Sequence, residues 1–135
     1  MSRRNIRVVG AMLEREPGRY LIVQRPSTAT LPLMWEFPGG RVMEGEADAA
    51  ALSREIVERL GVEVQVLELA ASTQHAYAEY DLEFCVFYCH LKDPNGTVKN
   101  LKVADHRWVT LQEMSAYQFP GADARTLARL LELDH

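Results

Sequence analysis

Cysteine is scarce in this chain, and the two present, Cys85 and Cys89, are placed so as to exclude a disulfide framework. Both lie in EFCVFYCHL, which reads as a β-strand. There, positions i and i+4 face the same way but stand roughly 13 Å apart, beyond the reach of a disulfide or a shared metal. They are read as small buried apolar side chains in a reducing compartment. Basic residues are outnumbered, 15 Lys and Arg against 19 Asp and Glu, for a net charge of −4. That balance argues against nucleic acid as a partner, since a phosphate-backbone binder needs a basic surface. It leaves enough cations to line one small anionic pocket. Long apolar runs are also missing. The opening MSRRNIRVVG has neither a signal peptide's apolar stretch nor a membrane span, so a cytoplasmic protein with no membrane partner is expected. Repeats, low-complexity tracts and linkers are absent, and 135 residues suit one domain, expected over 1–135. A chain of this length buries most of its apolar surface without a disulfide or zinc staple.

What is present reads as a mixed α and β domain. Ile6–Leu13 is apolar and β-branched, EREPGR is a turn, and YLIVQ at 20–24 is the second strand of an expected hairpin. RPSTATLPLM is a loop, and WEF a short strand that PGG stops. Ala47–Leu60 is the first convincing helix. Ala49, Leu52, Ile56 and Leu60 form its apolar stripe, and Gly61 is its C-terminal cap. Val62–Ala70, Asp81–Leu91 and His106–Val109 read as strands, DPNGT as a turn and LQEM as one helical turn. Ala124–Leu133 is a second helix, with Leu127, Leu130 and Leu131 on its apolar face and Asp123 placed to cap it. The four histidines show no ligand spacing.

The first helix carries the chemistry. At 100° per residue, Glu58 lies about 60° to one side of Glu55, Arg59 about 40° to the other, and the apolar stripe about 100° away. Glu55 and Glu58 are thus expected on a flank that borders the core without entering it. Two carboxylates one turn apart can converge on one hard divalent cation. Just upstream, FPGGRVMEGE supplies adjacent glycines whose bare backbone can meet a ligand. The plain alternative is a solvated flank with a Glu55–Arg59 pair at i,i+4.

The longer pattern shifts that balance. Gly40, five residues, Glu46, seven residues, Arg54-Glu55-Ile56-Val57-Glu58, then Gly61-Val62 resembles the Nudix box, G-x5-E-x7-R-E-U-x-E-E-x-G-U with U a bulky aliphatic. Six fixed identities plus two aliphatics arise by chance on the order of once in 10⁸ windows. WEFPGGRV, QRP, RWV and FPGAD look like the MutT-type branch, so the resemblance covers about Ile6 to Leu131. It implies an α+β fold, a Nudix-type α/β/α sandwich around a mixed sheet. It also implies hydrolysis of a nucleoside triphosphate or related diphosphate derivative, a small-molecule nucleotide substrate, to monophosphate and pyrophosphate, with Mg²⁺, or Mn²⁺ in its place, as cofactor. Glu55 and Glu58 carry over as metal ligands, Glu55 also as the base, and the Gly39 carbonyl as a backbone ligand. Glu46 and Arg54 carry over as an ion pair that fixes the loop and orients Glu55.

One box position departs: the family's second Glu is here Arg59. The loop before RWV, TVKNLKVAD, is rich in lysine, with only Asp105 near the strand. Both differences mean less negative charge and fewer metal sites. Arg59 either pairs with Glu55 and hinders metal entry, leaving a weak enzyme or a nucleotide-binding module, or it swings out to a substrate phosphate. Arg25, in QRP, matches a position near the nucleotide. Phe37 is a wall of the base pocket or a core residue. Asp123 matches a base-reading position where the pattern often has Asn, and a carboxylate there favours an exocyclic amine such as cytosine N4. That role and helix capping cannot use the same oxygen. Tyr77 and Tyr80 either stack on a base or are exposed strand-end tyrosines. An RNA-cap or large dinucleotide hydrolase is less expected, because nothing resembles an added substrate-binding element.

Overall fold

The computed structural model describes residues 3–133. In order it contains β1 (Arg4–Glu14), β2 (Arg19–Gln24), β3 (Trp35–Glu36), β4 (Gly39–Arg41), α1 (Asp48–Leu60), β5 (Val64–Ala76), β6 (Tyr80–Leu91), β7 (Asp105–Thr110), a single 3₁₀ turn at Glu113–Ala116 and α2 (Gly121–Leu133).

β1 is the spine. Along one edge it pairs in parallel with β6 over its whole length, from Arg4 opposite Tyr80 to Glu14 opposite His90, and β6 in turn pairs antiparallel with β5. Along its other edge it meets β4 at Val8–Gly10 and β2 only at Glu14. The expected hairpin therefore closes but at once diverges. β2 runs away with β7 on its far side and β3 on its near side. The short strands β3 and β4 fill the gap between β1 and β2, and Ala11 N–H bridges the opening to the Pro38 carbonyl at 2.8 Å. This mixed sheet has one helix on each side, because alternate residues of a strand face opposite ways. Val9, Ala11 and Leu13 of β1 join Leu52, Ile56 and Leu60 of α1 in one core. Met12 joins Phe37, Phe84, Leu127 and Leu130 in the other. The α/β/α sandwich with a mixed sheet, and its α+β class, is the architecture found.

Several boundaries move. PGG does not simply end a strand: Gly39-Gly40-Arg41 forms β4. The β5 strand begins at Val64 rather than Val62 and continues to Ala76. Gly61 is the αL cap of α1 (φ 68°). On α1, Ala49 is exposed and Ala51 takes its place in the buried stripe with Leu52, Ile56 and Leu60. Glu55 also belongs to that buried face, at 8% exposure, rather than to a flank beside it. The reason is β4: a strand crosses the helix at this point, and its glycine leaves room for a carboxylate. The second helix starts three residues earlier than expected, at Gly121, so Asp123 lies inside its first turn instead of capping it. Cys85 and Cys89 are both free and buried, and burial pushes the Cys89 thiol up to about 12. Among the described residues, no helix is long and apolar enough to cross a membrane.

Candidate active site

The loop from Val42 to Ala47 is fixed to α1 by one arginine. Arg54 Nε donates to Glu46 Oε2 at 2.8 Å and Arg54 Nη2 to Glu46 Oε1 at 2.9 Å, a two-toothed pair. Arg54 Nη2 also donates to the Arg41 carbonyl at 3.0 Å, and Nη1 to Glu55 Oε1 at 2.9 Å. Glu46 Oε1 in addition accepts the Met43 N–H at 3.0 Å. One guanidinium thus ties β4, the loop and the helix together. The Arg54 hydrogen bonds, helped by the Met43 N–H, hold the Glu46 carboxyl down to about 2, against 4.5 ordinarily.

A depressed carboxyl contributes stability that is present above its unfolded-state value and lost as pH falls through the folded one. The native protein should therefore melt above Glu46→Gln by a constant margin from neutral pH down to about 4.5, and that margin should vanish as pH approaches 2. Thermal melts of both proteins across this range check it. A margin independent of pH would mean that the Arg54–Glu46 pair does not hold the loop.

Glu55 sits between two arginines. Its Oε1 accepts from Arg54 and its Oε2 accepts from Arg59 Nε at 2.7 Å. Against its carboxyl carbon lies Gly40, where a Cβ would stand 2.3 Å away. Neighbouring Gly39 faces the β1 backbone so closely that its Cβ would stand 2.0 Å from the Val9 carbonyl oxygen. Only glycine lets both strand and carboxylate come this near. Glu58 stays half-exposed, 3.9 Å from Arg54 Nη1. Glu55, Glu58 and the Gly39 carbonyl are hard oxygen donors, the type a Mg²⁺ or Mn²⁺ ion takes, and the space Gly40 leaves is filled by a carboxylate. In donor chemistry these residues fit a divalent ion. In this arrangement guanidinium groups hold both Glu55 oxygens, and the described residues gather no cluster of three acidic, His or Cys ligands. Asp105 turns to the His106 N–H (2.8 Å) and Arg107 Nη2 (3.3 Å) instead.

On the far side of β4 two adjoining cavities, of about 180 and 310 Å³, share Val8, Arg25, Glu36, Arg41 and Asp123. The smaller is closed by Gly39, Gly40 and Arg59, and the larger opens towards Tyr77, Tyr80 and Leu31. Arg25 is locked: Nη1 donates to Glu36 Oε1 at 2.8 Å, Nε to the Thr30 carbonyl at 2.6 Å and Nη2 to Thr30 Oγ1 at 3.1 Å. Asp123 Oδ2 accepts the Phe37 N–H at 3.2 Å. Burial pushes both the Glu36 and Asp123 carboxyls upward. The neighbouring Glu36 also pushes Asp123 up, while Arg25 acts against the rise in both. The Phe37 ring, 3% exposed, packs edge-on against Phe119 and tilted against Phe84. Tyr77 and Tyr80 stack on each other at 5.0 Å, and the Tyr77 hydroxyl accepts the Ala122 N–H at 3.3 Å. Glu36 is the residue that sequence reasoning left without a role. Its signal was there, a lone carboxylate between Trp35 and Phe37 in an otherwise apolar strand.

The box end, with Glu46, Arg54, Glu55, Glu58 and Arg59, and the cavity end, with Arg25, Glu36 and Asp123, therefore meet at Gly39–Gly40. A family model described as NUDIX domain matches residues 8–129. A CTP pyrophosphohydrolase of Escherichia coli (strain K12) is 34% identical over 131 residues, 95% of this chain and 93% of its own length. A putative 8-oxo-dGTP diphosphatase 2 of Mycobacterium tuberculosis is 50% identical over 114 residues, 82% of this chain and 77% of its own length. Among solved structures, the E. coli ORF135 protein superposes with a TM-score of 0.82 at 31% identity, over 98% of this chain and 92% of that one.

Proposed function

Because the chain belongs to the NUDIX domain family, we propose that this nucleotide pyrophosphohydrolase cuts a cytosine nucleoside triphosphate to the monophosphate and pyrophosphate, with Mg²⁺, in the cytoplasmic nucleotide pool. The observation that carries the choice of base is the pair of neighbouring carboxyls, Glu36 and Asp123, in the cavity beside Gly39–Gly40. Two carboxyls this close do not both ionise readily. An ionised one accepts from the cytosine N4 amine and a protonated one donates to ring N3, a pattern uracil reverses at both atoms. The name of the E. coli relative, a CTP pyrophosphohydrolase, supports the same choice. Glu55, Glu58 and the Gly39 carbonyl would hold the ion, which when bound would screen the phosphates and polarise the phosphoryl oxygen. Glu55 takes the proton from the attacking water, Arg54 and Glu46 hold Glu55 in place, and Arg25, bonded to Glu36 at 2.8 Å, favours the ionised form of Glu36.

Pyrophosphate release from CTP, UTP, dGTP, ATP and 8-oxo-dGTP, with Mg²⁺ and with Mn²⁺, tests this. CTP should exceed UTP by about 10²-fold or more in kcat/KM, since a hydrogen-bonding site rejects a mispatterned base strongly. Equal rates for the two would sink the base assignment. Preference for 8-oxo-dGTP would favour the activity named for the M. tuberculosis relative. A second reading, a nucleotide-binding module without turnover, is supported by the capture of both Glu55 oxygens by arginines. A native protein silent on every nucleotide but active as Arg59→Glu would establish it.

Asp123→Asn separates stability from recognition. A carboxyl whose folded pKa is raised contributes most below its unfolded value and loses that contribution as pH rises. Asn keeps an acceptor for the Phe37 N–H and carries no charge. Asp123→Asn should therefore melt higher than the native protein at about pH 8, with the gap closing towards pH 4, while its CTP-over-UTP ratio is kept, because the amide NH₂ supplies the donor to N3 that the protonated carboxyl would. A variant that melts lower at every pH would contradict the charge burden assigned to Asp123.

A further inference from the structure

We infer that Arg59 is an internal counter-cation that travels between two anions: it neutralises Glu55 in the free protein and transfers to the substrate's phosphates when nucleotide enters, so that nucleotide opens the site to the divalent ion. The inference rests on the metal role proposed above for Glu55 and Glu58. Three observations carry it. Among the described residues Arg59 makes a single side-chain hydrogen bond, from Nε to Glu55 Oε2 at 2.7 Å, whereas Arg25 and Arg54 are each held by several. Of the three it is the cation with least to break. Its backbone is pinned: the Arg59 carbonyl accepts from the Leu101 and Lys102 N–H groups, both at 3.1 Å, and the Leu60 carbonyl accepts from Lys99 at 2.9 Å. Motion is thus confined to a long side chain on a fixed helix end. Finally, Arg59 already lines the cavity with Gly39, Gly40, Glu36 and Asp123, so a nucleotide bound there brings its phosphates within a rotamer change of the guanidinium.

Charge explains why the order matters. Glu46, Glu55 and Glu58 face Arg54 and Arg59, which leaves the box at one net negative charge, poor attraction for a divalent ion. Withdrawal of Arg59 doubles that charge and frees Glu55 Oε2. Polyphosphate, with several negative charges and bidentate oxygens, competes for a guanidinium better than one carboxylate does. By linkage, nucleotide and divalent ion then each strengthen the binding of the other through this residue.

The test uses Arg59→Gln and two separate titrations on the full chain. One is Mn²⁺ binding to nucleotide-free protein, read by the loss of the free-ion electron paramagnetic resonance signal. The other is binding of a non-hydrolysable CTP analogue in EDTA, read by calorimetry. Relative to the native protein, Arg59→Gln should bind Mn²⁺ about tenfold tighter and the metal-free analogue about tenfold weaker. Arg59→Lys, which keeps the charge but loses the bond from Nε, should bind Mn²⁺ tighter with a smaller loss of analogue affinity. Opposite signs are the signature, since a merely structural role would move both affinities the same way. Unchanged affinities, or shifts in one direction, would overturn the inference. Glu58→Gln provides the separation from the metal reading. If it abolishes Mn²⁺ binding while Arg59→Gln does nothing, the metal site stands and the role of Arg59 falls. If neither the native protein nor Arg59→Gln binds Mn²⁺, both fall.

Discussion

Glu58→Gln lowers kcat on the best nucleotide by about 10³-fold, the scale expected when a ligand to a catalytic ion, or a positioned base, is removed. Its melting temperature stays within about 1 °C, because the side chain is half-exposed and its one ionic partner among the described residues, Arg54, is 3.9 Å away. Glu55→Gln loses at least as much activity, but with a different stability signature. The amide offers one acceptor where two guanidinium groups donate, and its NH₂ is turned against one of them. A buried mismatch of this kind costs about 1–3 kcal/mol. Single-turnover kinetics with thermal melts of both variants measure the pair. Native-like turnover by either would remove that carboxylate from the chemistry, and native-like turnover by both would leave the box without a catalytic role.

Alanine at the two adjacent glycines separates scaffold from site. At Gly39 the added Cβ meets the Val9 carbonyl oxygen at 2.0 Å and Gly10 Cα at 2.8 Å, all main chain, so nothing nearby can rotate away. The β1–β4 pairing must open, and overpacking of this sort costs about 3 kcal/mol, a fall in melting temperature of about 10 °C for a chain of this size. At Gly40 the three atoms nearest the added Cβ all belong to the Glu55 side chain, at 2.3–2.6 Å, which can swing aside. Gly40→Ala should therefore lose less stability than Gly39→Ala but about 10²-fold in activity, as a carboxylate displaced by about 1 Å would. Equal loss of stability at both positions would show that Gly40 serves the strand and not Glu55.

The sequence carried the sandwich and the box in separable ways. Helix α1 was legible because its apolar spacing, its glycine cap and the box itself agree. Strand β6 was legible because a strand buried on both faces reads as a continuous apolar run. β4 was not: two glycines and an arginine have no strand propensity, and they pair only because β1 and β2 diverge and leave an edge open. The burial of Glu55 was misjudged for the same reason. Helical geometry places a carboxylate by angle, but whether that angle faces water depends on the strand that crosses it.

What the chain by itself determined is the set of groups: hard oxygen donors at 55 and 58, the arginine at 59 where the box has a glutamate, and the glycines at 39 and 40. Covalent spacing along one helix and one turn is enough to fix those. Only the tertiary structure decided what they do to one another. The pairing of Glu36 with Arg25 and the closing of one cavity by both Arg59 and Gly39 join separate segments, and the approach of Asp123 from α2 brings in the other end of the chain. Interactions between charges depend on distance and burial, and neither is written in the order of residues until the sheet has brought β1, β3, β4 and both helices together.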